Sequence, residues 1–530
     1  MAPGRLRTNR MAAAALVAAA ILAYFNGFSA TFQFDDRAVI LEDPRLAGPS
    51  VFLEQAGRMI RPLLKLTFLI DRHLYGDNPA GYHALNLLLH CGSVLLVFAI
   101  LSLAARRARD AGASTFRWVP FWAALLFAVH PIGTETVTYL SGRATGLAAI
   151  FTLLSAYLFL RATAPDTTGR SFLSYYTGAM AGYVLALLSK EVALTLPGLL
   201  LLWHLVFGAD GAESRGRAIR LQAPIWIISL LFFGVAAWHP RYPALARASL
   251  EARPLWDNLV TQLNAVSYAL SLFVFPSRLN FDHDLLVYHS ILQWPIPLAL
   301  ALLAAMAAVA AWSARRTPLV SLGIWWFFLC LLPTNSLIPR YDILSERNLY
   351  LPSIGLFLAA TAFSAGVVAR CGRAWPRTVR IASGAVCVGV SIWLFAATVD
   401  RNRVYRDEIA FWSDAARKSP QKSRPHNNLG YAWMEAGNLD LALEEFRIAL
   451  ALDRNNATAR QNLLRAWLLK QRQETSRLSP QVVQFLITAT HRPSTCSGRP
   501  ELAEGRGRRG ARLMTDSSDS LSRFGVTSCW

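Results

Sequence analysis

Two adjacent carboxylates, Asp35 and Asp36, lie within "TFQFDDRAVI", directly after an apolar run near the N-terminus. Partial desolvation beside Phe32 and Phe34 would raise the basicity of either carboxylate enough for general-base catalysis. Paired carboxylates also suit hard divalent cations, so Asp35 and Asp36 could hold one. Two carboxylates are a thin ligand set, and we therefore favour metal-free chemistry. The alternative is that the pair caps a helix or is simply solvated.

Further charged residues recur beside later apolar runs. They are Arg61 in "RPLLKL", His130, Glu135 and Arg143 in "HPIGTETVTYLSGR", Lys190 and Glu191 in "LLSKEVAL", and Arg340, Glu346 and Arg347 in "PTNSLIPRYDILSERNLYLPSIG". Arginine forks match phosphate oxygens geometrically, so Arg347, with Arg340 and Arg143 as secondary candidates, could bind a phosphate. Structural ion pairs, snorkelling and interface anchoring are the alternatives.

The chain as a whole is too hydrophobic for an ordinary soluble protein. Of its 530 residues, 54% are hydrophobic and 16% are charged, and the mean hydropathy is +0.32. The net charge of +20 falls in short basic clusters between apolar runs, which is typical of topology signals rather than of nucleic-acid binding. The cysteines show no CxxC spacing, which predicts neither a disulfide framework nor a zinc site. We expect a polytopic membrane protein.

Eleven apolar windows are long enough to cross about 30 Å of hydrocarbon. They lie near residues 11–28, 85–105, 118–135, 144–161, 171–189, 192–208, 222–238, 290–312, 318–333, 351–370 and 381–399. The arginine-rich connections then share one side, which the Lys/Arg bias makes cytoplasmic together with residues 1–10. All the polar motifs face the exterior. Residues 258–275 would break this pattern as a span, and we interpret them as an interfacial or re-entrant helix.

The composition changes near residue 400. A spacing of 34 residues relates Trp412 to Phe446, Asn428 to Asn462 and Trp433 to Trp467, which is the tetratricopeptide period. The candidate groove residues are Asn428, Leu429, Gly430, Trp433 and Phe446. We predict a transmembrane domain at 11–399 with a catalytic exterior loop at 29–84, repeats at 400–472 that could bind a protein partner, and a disordered or frameshifted tail at 473–530.

The order of the motifs resembles that of a known family. "FDDRAVILEDPRL", "RPLLKLTFLIDRHLYGDNPAGYHALNLLLH", "FAVHPIGTETVTYLSGRATGLAA", "LLSKEVALTLPG", "FPSRLNFDHDL" and "SERNLYLPSIG", followed by helical repeats, resemble the transmembrane-and-TPR protein O-mannosyltransferases and their bacterial relatives. This resemblance implies an all-α fold of the GT-C glycosyltransferase type, a polyprenyl-phosphate sugar donor and a catalytic acid in the first exterior loop. The matching motifs place the acidic pair on Asp35 and Asp36, and the "ERxLYLPS"-like motif on 346–353. Little more than one repeat is present, which departs from the family.

We therefore predict a glycosyltransferase that moves a sugar, mannose favoured, from a polyprenyl-phosphate donor to a hydroxyl of a protein or glycan acceptor at the exterior face. Asp35 would accept the hydroxyl proton while Asp36 positions the acceptor or tunes Asp35. Arg347, Arg340 and Arg143 would stabilise the leaving phosphate, and direct displacement would invert the anomeric carbon. Supporting roles are predicted for Arg61, His130, Glu135, Lys190, Glu191 and Glu346. A bacterial inner membrane with the site facing the periplasm is the most economical placement.

Two other classes of protein could carry some of these features. A non-enzymatic, membrane-anchored repeat scaffold for envelope or glycan assembly would use the helical repeats but would have no need of "FDD". A transporter would show internal repeats among its spans and broken helices at the bilayer centre, and the sequence shows neither.

Overall fold

The computed structural model describes residues 3–110, 117–207, 212–239, 241–336, 339–371 and 376–477. Every regular element in these ranges is helical, in agreement with the predicted all-α class. Residues 478–530, most of the predicted tail, lie outside the described residues. The chain divides into two compact units between Gln421 and Lys422, and each is described by itself.

The first unit contains a helix at each predicted apolar window and further helices that no window predicts. They are α1 Pro3–Tyr24, α2 Pro49–Gln55, α3 Pro62–Tyr75, α4 Pro79–Asp110, α5 Val119–Val129, α6 Thr134–Val137, α7 Arg143–Ala162, α8 Gly169–Leu187, α9 Leu196–Phe207, α10 Ala212–Leu221, α11 Ala223–Trp238, α12 Arg241–Ala252, α13 Leu255–Val274, α14 Ile296–Ser313, α15 Pro318–Leu331, α16 Tyr350–Cys371, α17 Pro376–Arg403 and α18 Glu408–Lys418. Proline opens many of them because its fixed φ suits the first helical turn.

Seven helical segments of the described residues are long and apolar enough to cross a membrane. They are Asn9–Ser29, Pro79–Arg109, Leu140–Ala162, Ile219–Trp238, Ile296–Ser313, Glu346–Arg370 and Ile381–Arg403. Three shorter apolar helices lie at Val119–Val129, Glu191–Phe207 and Pro318–Leu331, and α8 is the remaining counterpart of a predicted window. These segments are those of an integral membrane protein. A helix lies at every predicted window, while the number of spans stays a prediction.

Helix α13 overlaps residues 258–275, the segment predicted to be an interfacial or re-entrant helix. It is not one of the seven helical segments that could cross a membrane. Its polar face is buried: Asn258 is fully buried, and Thr261 and Gln262 are nearly so. Asn258 donates to the Ser336 carbonyl at 2.7 Å, and Gln262 donates to the Ile343 carbonyl at 3.2 Å. The polar residues of this helix therefore satisfy loop backbone groups inside the unit, which buried polar groups require.

The packing of α15 against α16 fixes the start of the motif that contains Arg347. Gly323 and Gly355 face each other, and a Cβ on Gly323 would lie 2.4 Å from the Gly355 carbonyl oxygen. Small residues allow two membrane helices to approach this closely. The turn Glu346–Leu349, directly before α16, is thereby held against the rest of the unit.

The extended segment after α1 is held by the chain that follows α17. The Thr31 N–H donates to the Arg406 carbonyl at 3.3 Å, and Gln33 Nε2 donates to the Tyr405 carbonyl at 3.1 Å. The Phe34 ring packs edge-on against Trp412 of α18 at 5.1 Å between centroids. Residues far apart in sequence therefore fix the "FDD" segment.

A short π-helix, Arg37–Leu41, follows the acidic pair. Lys65 of α3 donates to the Val39 carbonyl at 2.8 Å and pairs with Asp43 at 2.5 Å. Arg72, also on α3, donates to the carbonyls of Ile40 and Leu41. Helix α3 thus caps the irregular turn, which otherwise would leave carbonyl groups without partners.

The second unit contains α19 Ser423–Glu435, α20 Leu439–Leu452 and α21 Ala457–Arg477. A Cβ on Gly430 of α19 would lie 2.8 Å from the ring of Phe446 of α20, so glycine permits the close contact. Leu429 and Phe446 are buried, and Phe446 lies in the apolar cluster between the helices. Asn428 and Trp433 are half-buried. The tetratricopeptide assignment and its groove stay predictions.

Candidate active site

Asp35 lies beside a backbone turn in which Phe34 has a φ of 42°. A positive φ is uncommon for a bulky residue and persists only where the surroundings impose it. The Asp35 N–H donates to Tyr139 Oη at 3.2 Å, and the residue is 8% exposed. Tyr139 and Arg347 both lie within electrostatic reach of the Asp35 carboxylate. Asp35 is therefore a nearly buried carboxylate with a cation close by.

Asp36 is fully buried and has a different environment. Its Oδ2 accepts from the Gln33 N–H at 2.9 Å, and its Oδ1 accepts from the N–H and the hydroxyl of Ser141 at 2.8 and 2.5 Å. Burial raises the pKa of Asp36 to about 7, although the hydrogen bonds from Ser141 and Gln33 oppose this. Asp36 thus joins the "FDD" segment to the "YLSG" turn and leaves Asp35 as the better candidate for proton transfer.

These contacts bear on the divalent cation considered for Asp35 and Asp36. Both oxygens of Asp36 already accept hydrogen bonds from N–H and O–H donors, which a cation would have to displace. Within the described ranges, no group of three or more His, Cys, Asp or Glu side chains is arranged to hold a metal ion. The residues do not fit a cation at this pair, and we derive no step through one.

Arg347 lies in the turn Glu346–Leu349 and pairs with Glu135. Its N–H donates to Glu135 Oε2 at 2.8 Å, and its Nε lies 3.4 Å from Oε1. Ser345 Oγ also donates to Oε1 at 2.9 Å. Neither terminal nitrogen of the guanidinium makes a hydrogen bond to a residue in the described ranges. The Arg347 side chain, 11% exposed, therefore keeps donors for a ligand.

Lys190 and Arg340 lie within electrostatic reach of Arg347 and of each other. Lys190 is buried and donates to Thr145 Oγ1 at 2.8 Å and Asn348 Oδ1 at 3.3 Å, leaving its third N–H without a partner in the described part of the chain. The Arg340 guanidinium donates no hydrogen bond to a described residue and forms no ion pair with one. The structure thus brings these predicted residues together as a group of cations with unused donors.

The electrostatics of this group follow from its burial. Burial, together with the charges of Arg347, Arg61 and Arg340, lowers the pKa of Lys190 well below its usual range. Burial and the neighbouring Arg61 and Arg347 also lower the pKa of Arg340 to about 10, although Glu191 opposes this. Glu191 itself pairs with Arg61 at 2.9 Å and accepts from Tyr242 Oη at 3.0 Å. An anion that entered here would relieve the repulsion between the cations.

Glu346 anchors the other side of the same turn. It is fully buried, pairs with His283 Nε2 at 3.0 Å and accepts the Asn280 N–H. Arg401 Nη2 lies 3.8 Å from Glu346 Oε2. Asn280 and His283 were not singled out from sequence, although both lie in the "FPSRLNFDHDL" motif. Glu346 holds the turn in place and is not itself directed to a ligand.

Arg143 and His130, two of the predicted site residues, make contacts that are typical of structural roles. Arg143 is fully buried, pairs with Asp71 at 2.5 Å, donates to Asn86 Oδ1 at 2.7 Å and stacks over Phe68 at 4.5 Å. His130 accepts from the Ile132 N–H through Nδ1 at 3.0 Å, which caps the following turn. The structure favours a structural role for Arg143 over the predicted phosphate role.

Tyr139 and Ser141 complete the site and were missed from sequence. Both lie in "HPIGTETVTYLSGR", but the motif was read for its charged residues, and neither side chain carries a charge at neutral pH. Tyr139 contacts Asp35 and Ser141 contacts Asp36. The available sequence signal was the position of Tyr139 and Ser141 between two charged residues of the same motif, Glu135 and Arg143.

Curated relatives cover most of the chain. Protein O-mannosyl-transferase Tmtc3 of Drosophila melanogaster is 25% identical over 85% of this chain and 56% of its own length. Protein O-mannosyl-transferase TMTC1 of Homo sapiens is 25% identical over 85% and 56%, and TMTC4 of Homo sapiens is 27% identical over 81% and 64%. The resemblance to O-mannosyl-transferases is confirmed. The chain spans only 56% to 64% of the length of these O-mannosyl-transferases.

The chain was also compared with protein-family models and with solved structures. No family model matches the chain. The crystal structure of ArnT from Cupriavidus metallidurans bound to undecaprenyl phosphate matches 88% of this chain and 78% of its own, at 14% identity and a TM-score of 0.38. The apo state of the same protein gives a TM-score of 0.35 at 15% identity. At these TM-scores we transfer no residue role from ArnT.

Proposed function

We propose that this protein is a membrane glycosyltransferase that uses a polyprenyl-phosphate sugar and modifies a hydroxyl group, with mannose and a protein acceptor favoured. The observation that carries the proposal is the nearly buried carboxylate of Asp35 within electrostatic reach of Arg347, next to Lys190 and Arg340. A base and an anion site side by side are what transfer from a phosphate leaving group requires.

The proposed reaction is a direct displacement at the anomeric carbon of the sugar, with Asp35 as the base. The acceptor hydroxyl loses its proton to the Asp35 carboxylate as its oxygen bonds to the anomeric carbon of the sugar. The bond between that carbon and the phosphate oxygen breaks, and the electron pair remains on the phosphate. A phosphodiester with one negative charge thereby becomes a phosphomonoester with a second one. The attack comes from the face opposite the leaving group, so the anomeric configuration is inverted.

The charge that develops on the phosphate gives the cations their role. Arg347 and Arg340 offer guanidinium N–H groups that suit phosphate oxygens, and Lys190 offers one remaining N–H. Because the phosphate gains charge only as the bond breaks, these donors stabilise the transition state more than the bound donor. Asp36 holds the "FDD" segment through Ser141, so that Asp35 stays in place for the proton.

The O-mannosyl-transferase relatives support mannose as the first sugar to test. The site face is proposed to be exterior, in a bacterial inner membrane toward the periplasm, because the arginine-rich connections favour the opposite side as cytoplasmic. The same count of spans predicts that residues 400–472 face the periplasm, where they could bind the acceptor or a protein partner.

The test is transfer of radiolabelled sugar from synthetic polyprenyl-phosphate mannose or glucose to a membrane extract by purified protein. We expect Asp35→Asn to lower transfer by about 10²- to 10⁴-fold, the usual range for loss of a general base. Asp77→Asn is the matched control, because Asp77 is an exposed carboxylate of the same predicted loop.

Three results would contradict the proposal in different ways. Activity retained in Asp35→Asn would remove Asp35 as the base. Product that keeps the anomeric configuration of the donor would exclude direct displacement. Folded wild-type protein that transfers neither sugar, with variants of Trp433 affecting function instead, would favour the repeat scaffold.

A further inference from the structure

Glu135 is a buried carboxylate that reaches Arg347 over 212 positions of sequence. The two residues meet at two points, since the Arg347 N–H and its Nε both lie against the Glu135 carboxylate. A third donor, Ser345 Oγ, completes the shell of that carboxylate. Glu135 therefore holds both the backbone N–H and the Nε of Arg347.

The backbone of Glu135 is itself closely packed. A Cβ on Gly142 would lie 2.1 Å from the Glu135 carbonyl oxygen, so only glycine allows the "YLSG" turn to fold over this position. That turn also provides Ser141, which binds Asp36. Glu135 is thus built into the same small assembly that holds the acidic pair.

The contact between Glu135 and Arg347 differs from an ion pair in which every donor has a partner. A guanidinium has two edges that can each bind a pair of oxygens. Glu135 approaches the Nε side, and the terminal nitrogens make no hydrogen bond to a described residue. Asp35 also lies within electrostatic reach of Arg347 and is a competing carboxylate. Without Glu135, the guanidinium would be free to rotate toward Asp35 and pair with its carboxylate. Asp35 would then be unavailable as the base.

We infer that Glu135 is a positioning residue for the donor phosphate: it binds Arg347 through the main chain and Nε, directs the terminal nitrogens toward the phosphate and keeps them away from Asp35. This inference rests on the proposed function, since it concerns the same anion site. Glu135 does not touch the donor and acts only through Arg347.

The experiment measures binding of farnesyl phosphate, a short polyprenyl phosphate, to the purified full chain in detergent. Glu135→Gln keeps the size of the side chain and removes its charge. We expect it to weaken binding by about 10- to 10²-fold, the scale of one hydrogen bond to a charged group. In the transfer assay, the donor KM should rise more than kcat falls. Glu54→Gln, an exposed carboxylate on α2, is the matched control and should bind as the wild type does.

A double-mutant cycle separates positioning from general stability. Arg347→Met should weaken binding by itself, and adding Glu135→Gln to it should have little further effect, because Glu135 acts only through Arg347. If Glu135 served the fold alone, the two losses would add. Ser345→Ala retains the carboxylate and loses one of its hydrogen bonds, so it should shift binding in the same direction by less, and it provides the test if Glu135→Gln does not fold.

The outcomes distinguish this inference from the proposed function. Wild-type protein that binds no farnesyl phosphate would overturn the proposed function and this inference together. Wild-type protein that binds it, with Glu135→Gln binding equally well or adding fully to Arg347→Met, would overturn only the positioning role. Unchanged binding in Ser345→Ala, where Glu135→Gln cannot be folded, would also overturn it.

Discussion

The protein surrounds two arginines of the first unit in different ways. Arg143 pairs with Asp71, donates to Asn86, Tyr82 and Thr67, and lies over an aromatic ring. Arg340 also has several charged neighbours, but its guanidinium donates to no residue in the described ranges and pairs with none of them. Arg143 is thus held by four neighbouring residues, whereas the Arg340 guanidinium donates to none of the residues that the structure describes.

This difference has a physical meaning for stability and for binding. A buried ion pair with every donor satisfied stabilises its own neighbourhood, and removal of one partner leaves an uncompensated charge. A group of like charges held together without enough counter-charges destabilises the fold until an anion arrives. Sites that bind or react commonly carry such a cost. The satisfaction of donors is therefore the criterion by which we assign a structural charge to Arg143 and propose a ligand-binding charge for Arg340.

The sharpest test of the comparison is a pair of substitutions to methionine. Arg143→Met should lower the free energy of unfolding by about 3–5 kcal/mol, because it leaves Asp71 buried without its partner. Arg340→Met should leave that free energy unchanged or raise it, and should weaken binding of farnesyl phosphate. Both quantities can be measured on purified protein in detergent micelles. Loss of stability in Arg340→Met, with binding intact, would reverse the comparison.

The same comparison can be extended to two buried carboxylates. Asp36 accepts hydrogen bonds from neutral donors and its pKa is raised to about 7 by burial. The pKa of Asp43 is lowered, because the contacts from Arg45 and Lys65 outweigh the opposing effect of burial. Their contributions to stability must therefore depend on pH with opposite signs.

For Asp36, the contribution to stability is present below the ordinary carboxyl pKa of about 4 and is lost as the pH rises to about 7. The slope is at most about 1.4 kcal/mol per pH unit. For Asp43, the contribution is present above pH 4 and is lost as the pH falls. Unfolding of Asp36→Asn and Asp43→Asn across this pH range should show the two opposite differences from wild type. Differences of the same sign would refute the assigned environments.

A smaller effect is expected for Lys190, whose pKa is lowered by burial and by the surrounding arginines. A bound phosphate favours the charged amine and raises this pKa, so binding should take up at most about one proton at pH values between the free and bound pKa. Affinity should fall as the pH rises through that interval, by less than about tenfold per unit. Calorimetry of farnesyl phosphate binding in buffers of different ionisation enthalpy measures the uptake.

Lys190→Met provides the comparison for this measurement, and it should bind more weakly without the proton uptake. Equal uptake in wild type and Lys190→Met would show that another group titrates. In that case the cations of the site would be charged before the phosphate enters.

The sequence by itself determined that the protein is an all-helical membrane protein, and it predicted where its chemistry lies. Apolar windows of membrane length predict helices, because backbone groups in hydrocarbon must be satisfied within the segment. Charged residues are costly near those windows, so the motifs at 35–36, 130–143, 190–191 and 340–347 could be selected as candidates. The motif order also indicated the O-mannosyl-transferase resemblance, which the relatives confirm.

Only the tertiary structure decided which of these residues lie close together. Arg347 is the first phosphate candidate in sequence and Arg143 a secondary one. In the structure, partners on α3 and α4 hold Arg143, whereas Glu135 holds Arg347 and the terminal nitrogens of Arg347 contact no described residue. Asp35 and Asp36 are adjacent, yet Ser141 binds one and Tyr139 contacts the other. Hydrogen-bond partners more than a hundred positions apart leave no periodic signal, because they depend on how the helices pack rather than on local spacing.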